Sequence, residues 1–227
     1  MERTKFRQDL AARINDFKQA VADDTGEWVI KGFIDVYRNI YTITVDTKVV
    51  SKIVELLLFP ILARFADDYG YTIALAEHQN FYPNITFIDR DGTMVALDVK
   101  STYRTGPDTV NGFTLGAFTG YFRQRSSTKN VTFPYSKYIA HFVLGILYSR
   151  DESRIDERQV YNLDELQDIV SVARNFDFLV QKKWRLASDQ PGSGNTKNIG
   201  SVKNTAALLE GRGMFAGLGE EAFDDYW

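Results

Sequence analysis

The run Ala96-Leu97-Asp98-Val99-Lys100-Ser101-Thr102-Tyr103 sets a carboxylate and an ammonium two residues apart. Successive side chains of a strand leave opposite faces, so Asp98 and Lys100 project together while Leu97 and Val99 enter the other layer. A second apolar stretch, Ile85-Thr86-Phe87-Ile88, precedes it, and Arg90-Asp91-Gly92-Thr93 between them is a tight-turn signal. Folding that hairpin brings Asn84, of Tyr82-Pro83-Asn84, beside Asp98. A carboxylate so placed can hold a hard cation such as Mg²⁺, which lowers the pKa of bound water and grips a phosphate. The neighbouring ammonium would orient the attacking water or stabilise charge developing on phosphorus oxygens. The bland alternative is an ion pair on an edge strand, and Asp-x-Lys by itself does not decide between them.

Other candidate chemistries narrow quickly. The 227-residue chain has no cysteine and only two histidines, His78 and His141, which removes thiolate zinc sites, cysteine nucleophiles, disulfides and histidine-rich metal sites. A metal here would be oxygen-ligated. Glu55 follows Lys48, Ser51 and Lys52 at helical spacing, so it reads first as the edge of a narrow polar stripe. The loop Gly192-Ser193-Gly194-Asn195-Thr196-Lys197 lacks the spacing of a nucleotide-phosphate loop, which argues against a nucleotide cofactor. Its glycines would let backbone approach base edges, and an Asn amide can pair with adenine in a major groove. Neither histidine has a serine-triad partner at a recognisable spacing.

A net charge of −3 argues at first against a nucleic-acid partner. Its distribution does not. Residues 100–130 carry Lys100, Arg104, Arg123, Arg125 and Lys129 against Asp108, net +4. Residues 181–203 carry Lys182, Lys183, Arg185, Lys197 and Lys203 against Asp189, again +4, so the remainder holds −11. Such segregation suits one face for phosphates and another for solubility. No apolar run is long enough to span a membrane and no signal-peptide pattern opens the chain, so a cytoplasmic, intracellular protein is expected.

These residues need a scaffold. The pattern predicts an amphipathic helix over residues 3–22, and a small hairpin from Trp28 to Val45 turning at Lys31-Gly32. A helix is expected from an Asp46 cap to about Tyr69, kinked at Pro60 and stopped by Gly70. Strands are expected near 71–76, 85–89, 94–101 and 176–187, a helix over 113–125, and a buried strand or helix over 138–148. An extended loop is expected over 189–200, and a partly helical end over 204–227. Intermixed strands and helices give an α/β (α+β) class.

With these patches assembled, the chain resembles the EcoRV-like type II restriction endonucleases of the PD-(D/E)xK nuclease superfamily. The matching segments are Asp46-Thr47-Lys48-Val49 through Glu55-Leu56, Gln79-Asn80, Tyr82-Pro83, Asp98-Val99-Lys100, Phe113-Thr114-Leu115-Gly116, Thr128-Lys129-Asn130 and Tyr138-Ile139-Ala140-His141. Gly192-Ser193-Gly194-Asn195-Thr196 through Asn198-Ile199-Gly200-Ser201 also matches and is the most specific. The likeness runs from about Thr44 to Trp227, whereas residues 1–40 match poorly.

The resemblance implies a single restriction-endonuclease-like domain over 1–227, a central mixed sheet flanked by helices. Residues 1–45 would partly form a dimerisation subdomain and 189–200 a DNA-reading loop. It implies a homodimer around duplex DNA, cutting both strands at a short palindrome near GATATC with Mg²⁺; two-fold protein symmetry suits a two-fold site. Asp98 would ligate metal, Lys100 would be the catalytic lysine, and Glu55 an auxiliary acid. Gln79 and Asn80 would lie in a minor-groove loop, and Gly192, Ser193, Gly194, Asn195 and Thr196 in the major groove. Ser101, Thr102, Tyr103, Lys129 and Asn198 would lie near phosphates. A TA step at the site centre unstacks easily, so bending would add discrimination.

Three departures accompany the resemblance. Asn84 stands where the family's first metal carboxylate belongs, and losing one anion weakens a hard-cation site. Asp89 cannot replace it, being five residues along the strand and so on the opposite face. The chain is therefore expected to bind DNA and cut poorly or not at all. The second departure is a two-residue insertion around Arg125-Ser126-Ser127. The third is an end at Tyr226-Trp227 where the family continues with basic residues, which would lower backbone affinity. Two other readings remain: a non-enzymatic DNA-binding module, and a nuclease of the same superfamily with a different DNA substrate.

Overall fold

The computed structural model describes residues 1–78, 80–151, 158–192 and 197–227. The N-terminal stretch is two helices rather than one: α1 (Arg3–Ala11) and α2 (Ile14–Val21), broken at Ala12-Arg13 so that Phe6, Leu10, Phe17 and Val21 all reach the core. Strands β1 (Gly32–Ile34) and β2 (Ile40–Thr42) form the expected hairpin, but its turn is Asp35–Asn39, not Lys31-Gly32. The Asp35 carboxylate accepts from the backbone N–H groups of Tyr37 and Asn39, both at 2.9 Å, and Arg38 takes a φ of 68°. An Asx turn outweighed the lysine–glycine pair. Gly32 lies inside the strand, where a Cβ would meet the Ile40 side chain and the Tyr41 carbonyl, each at 2.6 Å.

Helix α3 (Thr47–Tyr69) has the expected limits. Asp46 accepts from the N–H groups of Lys48 and Val49, and Gly70 ends the helix with φ 71°. The helix continues through Pro60, which is exposed. Strands β3 (Thr72–Leu75), β4 (Ile85–Ile88) and β5 (Met94–Gly106) follow. After the short β6 (Thr109–Val110), β7 (Thr114–Ala117) opens the region expected to be helical, 113–125. Gly112, Gly116 and Gly120 have φ of 92°, 94° and 67°, which a right-handed helix cannot contain. The apolar run over 138–148 is strand β8 (Tyr138–Arg150).

Strand β9 (Val160–Tyr161) pairs with β2. Strand β10 (Ala173–Lys182) stops earlier than expected and gives way to one helical turn, α4 (Lys183–Leu186). The described ends of the loop expected over 189–200 are strand, β11 (Ala187–Pro191) and β12 (Asn198–Ser201), joined where the Gly192 N–H donates to the Asn198 carbonyl at 2.8 Å. Backbone pairing took residues whose composition alone suggested coil. Helices α5 (Thr205–Glu210) and α6 (Glu220–Tyr226) complete the chain.

The main sheet runs β10-β8-β5-β4-β3, with β6 beside β5, and only the β5–β8 pair is parallel. This central mixed sheet flanked by helices is the restriction-endonuclease-like α/β architecture expected. Each face carries its own core. Val95, Leu97, Val99, Phe142, Leu144 and Ile146 pack beneath α1, α2 and α3. Ala96, Val143 and Leu147 face the other cluster, which contains Tyr82, Tyr121, Phe122, Tyr135 and residues of the C-terminal third.

Candidate active site

The hairpin register pairs Ile85 with Leu97 and Ile88 with Met94, so Asn84, one step before β4, lies opposite Asp98. The pairing is closed by hydrogen bonds: the Asn84 N–H donates to Asp98 Oδ1 at 3.3 Å, and the Val99 N–H donates to Asn84 Oδ1 at 2.9 Å. A backbone N–H can face only the amide's oxygen, so this contact fixes which way the Asn84 side chain is turned. Its carbonyl oxygen already accepts from the backbone, and its other polar atom is an NH₂, which cannot ligate a cation. An aspartate here could satisfy Val99 with one oxygen and keep a second free.

Asp98 is 4% exposed, and its Oδ2 pairs with Lys100 Nζ at 2.9 Å. The expected shared face is therefore present, with Leu97 and Val99 in the opposite core. Glu55 reaches the same cleft from α3 and pairs with Lys52 at 3.1 Å. Lys48, Ser51 and Lys52 line the cleft too, so the polar stripe exists and forms one wall. Asp89 instead sits 2.6 Å from the Met1 ammonium, away from Asp98 as strand parity requires. The cleft has a volume of about 1540 Å³ and runs from α3 across β5 to β7.

A profile of the restriction endonuclease EcoRV family matches residues 24–227. The type II restriction enzyme EcoRV of Escherichia coli is 35% identical over 216 residues, covering 94% of this chain and 86% of that enzyme. The chain belongs to the restriction endonuclease EcoRV family.

Enzymes of the type II restriction endonuclease family generally depend on a divalent metal. The donors in this EcoRV-family cleft fit such an ion one ligand short. Asp98 and Glu55 offer carboxylate oxygens to one cleft, whereas the Asn84 oxygen is turned onto Val99. Among the described residues no group of three or more acidic, His or Cys side chains comes together. Two acids with two lysine partners suit a loosely held hard cation rather than a tightly held one.

The residues expected near DNA divide by position. Asn80, Ser101, Thr102, Tyr103, Lys129 and Asn198 line the cleft together with Asn84, Asp98, Lys100 and Glu55. Gly192 lies outside its lining, at the closure of the β11–β12 hairpin. Gln79, Ser193, Gly194, Asn195 and Thr196 lie outside the described residues. Tyr103 is covered by the Arg150 guanidinium, 3.9 Å from its ring centroid.

Sequence reasoning treated Lys183 only as part of a charge count. It is 2% exposed, its ammonium lies 4.5 Å from the Tyr82 ring centroid and 5.5 Å from those of Phe122 and Tyr135. Burial pushes it down to about 8, against the attraction of Asp98 and with the repulsion of Lys100. His141 accompanies this cluster: Tyr82 Oη lies 2.9 Å from its Nδ1, and its ring stacks on Tyr135 at 3.8 Å. Burial, then Lys183, hold its pKa well below the usual value, so the buried imidazole is neutral. No sequence cue marked its place: Lys183 falls inside the strand expected over 176–187, whereas the observed strand ends at Lys182.

Proposed function

We propose that this chain is a homodimeric, sequence-specific duplex-DNA endonuclease scaffold whose cutting is impaired at residue 84. The observation that carries the reading is the Asn84 amide, locked onto the Val99 N–H at 2.9 Å beside Asp98. The target is a short palindrome near GATATC, and the setting is the cytoplasm. Among the described residues no helix is long and apolar enough to cross a membrane.

Asp98 and Glu55 would hold the divalent ion, Mg²⁺ in the cell. When bound, that ion supplies an acidified water and neutralises phosphate charge. Lys100, already 2.9 Å from Asp98, orients the nucleophilic water and stabilises negative charge on the phosphate. Ser101, Thr102, Tyr103, Lys129 and Asn198 position the sugar–phosphate backbone. Asn80 and Gln79 approach the minor groove, and Gly192 to Thr196 the major groove. Asn84 gives no anion, so ion affinity and rate both fall.

The homodimer reading draws support from the three-stranded sheet β1-β2-β9. Phe33, Ile34, Tyr41 and Val160 are exposed on it, with Val36 and Tyr37 at 89% and 82% exposure in the turn. Residues 1–45 would accordingly contribute to the dimer contact. Exposed apolar area of this kind is usual where a second copy binds.

The deciding experiment is digestion of a sequenced plasmid by the present protein and by Asn84→Asp, followed by mapping of the ends. The expected result is Mg²⁺-dependent cutting by the aspartate form at discrete palindromic positions. An aspartate form that binds a palindromic duplex with Ca²⁺ yet never cuts with Mg²⁺ would leave a DNA-binding module. Cuts at structures rather than sequences would instead indicate a different nuclease of the superfamily.

A further inference from the structure

The Lys183 ammonium is a poorly compensated charge close to the cleft. It is buried, and among the described residues its three N–H donors have no hydrogen-bond acceptor. Aromatic ring faces attract it, but a ring is a weak substitute for water or an anion. Yet it sits behind the cleft wall at one thin place. A Cβ built on Gly116, a cleft-lining residue with φ 94°, would stand 3.6 Å from Lys183 Nζ and 2.8 Å from Tyr121 Oη. Gly116 thus lines the cleft and lies beside this charge, with Tyr121 Oη and Tyr82 Cδ2 around the same point at 2.8 and 3.9 Å. Tyr82, whose ring bears the ammonium, is two residues before Asn84 and lines the same cleft.

We propose that Lys183 is a positioning residue of the cleft: a fixed cation behind Gly116 that acts through Asp98 and limits how tightly the pocket takes up a divalent ion. The inference rests on the nuclease reading above, and it adds an element of charge control to it. Near the cleft, Asp98 pairs with Lys100 and Glu55 with Lys52, and Lys183 adds a third cation on the ring of Tyr82, two residues before Asn84. A dication entering that balance is repelled by Lys183, which is 2% exposed and cannot swing out to solvent. Coulomb energy falls only inversely with distance, and a dry wall screens it less than water does. Tyr121 and Gly116 keep the spacing: a larger residue at 116 would collide with the tyrosine hydroxyl.

The test is Mn²⁺ titration of the DNA-free protein in the Asn84→Asp background, followed by electron paramagnetic resonance of free ion. Lys183→Met, which keeps length and removes charge, is expected to tighten Mn²⁺ binding about tenfold. Lys183→Arg, which keeps the charge, is expected not to tighten it. A merely structural lysine would give no tightening on replacement by Met. Unchanged or weaker binding in a folded Lys183→Met protein overturns the inference alone. No Mn²⁺ binding in the Asn84→Asp parent overturns it together with the reading of the site. Should the Met variant fail to fold, ¹³C-lysine NMR reads the same coupling. Asp98→Asn is expected to move the Lys183 titration to lower pH, and an unmoved titration overturns the proposal.

Discussion

The two faces of strand β5 are made from alternate residues of one segment and obey different rules. On one side Val95, Leu97 and Val99 lie in a hydrocarbon layer with Phe142, Leu144 and the N-terminal helices. Within that layer Phe6 is 5.5, 5.3 and 5.6 Å from Phe65, Phe87 and Phe142, measured between ring centroids. On the other side Ala96, Asp98, Lys100 and Thr102 face tyrosines, a buried histidine and a buried lysine. The first face gains stability from each side chain it covers. The second carries a buried ammonium, Lys183 Nζ, with no hydrogen-bond partner among the described residues, whereas the unpartnered atoms on the first side, Trp28 Nε1 and Tyr148 Oη, are neutral. A buried charge, rather than an unpartnered neutral group, is what sets the second face apart.

The contrast can be broken first on the apolar face. Phe142→Ala should cost about 3–5 kcal/mol of unfolding free energy, because a fully buried ring leaves a cavity that the strand cannot close. Urea denaturation measures this, and a loss under about 1 kcal/mol would mean the two layers do not differ as described. On the polar face the expected sign reverses. Lys183 carries a proton near neutrality at a folded pKa of about 8, against 10.5 when unfolded. Between these values the unfolded chain binds more protons, so this group's contribution makes stability rise as pH goes from 8 towards 10.5. Lys183→Met should therefore stabilise the protein at pH 7 by up to about 3 kcal/mol and abolish that part of the rise. Denaturation curves for both proteins at pH 7 and pH 9.5 compare the two.

A third change sharpens the catalytic side. Asn84→Asp should raise Mg²⁺-dependent cleavage at least about 100-fold, since even partners of metal ligands alter metal affinity or activity by 10–100-fold. Single-turnover cleavage of a palindromic duplex supplies the rate. The smallest effects come from a matched pair of substitutions on β5 itself. Thr102→Val removes an unpartnered hydroxyl and should change stability by less than about 1 kcal/mol in either direction. Val99→Thr, its mirror on the apolar face, should cost about 1–3 kcal/mol by burying a new one. Equal effects would show that the faces do not discriminate.

Much of this was readable from the chain before any coordinates. Strand parity placed Asp98 and Lys100 together, and the Asp-Gly turn placed Asn84 opposite them. Asp46 and Gly70 marked both ends of α3, because a capping carboxylate and a left-handed glycine act locally. What failed was non-local. Thr114–Ala117 and Asn198–Ser201 are strands because they pair with each other across some eighty residues of sequence. Gly116 and Lys183 matter only because folding brings them to the same wall. The orientation of the Asn84 amide was equally invisible, since it depends on which N–H of β5 comes to face it.

The thirteen-residue length of β5 has a further consequence. One uninterrupted ribbon bears the acid, the lysine and the cleft-lining Ser101, Thr102 and Tyr103, so their mutual placement is a matter of counting. If one residue were added within the Ile85–Leu97 ladder, every side chain beyond it would change allegiance, sending the carboxylate into oil and a valine into the groove. The tip at Asp89–Thr93 can lengthen freely, as a hinge pin may protrude without moving the door. Variation among proteins built this way should therefore collect at that tip and spare the rungs.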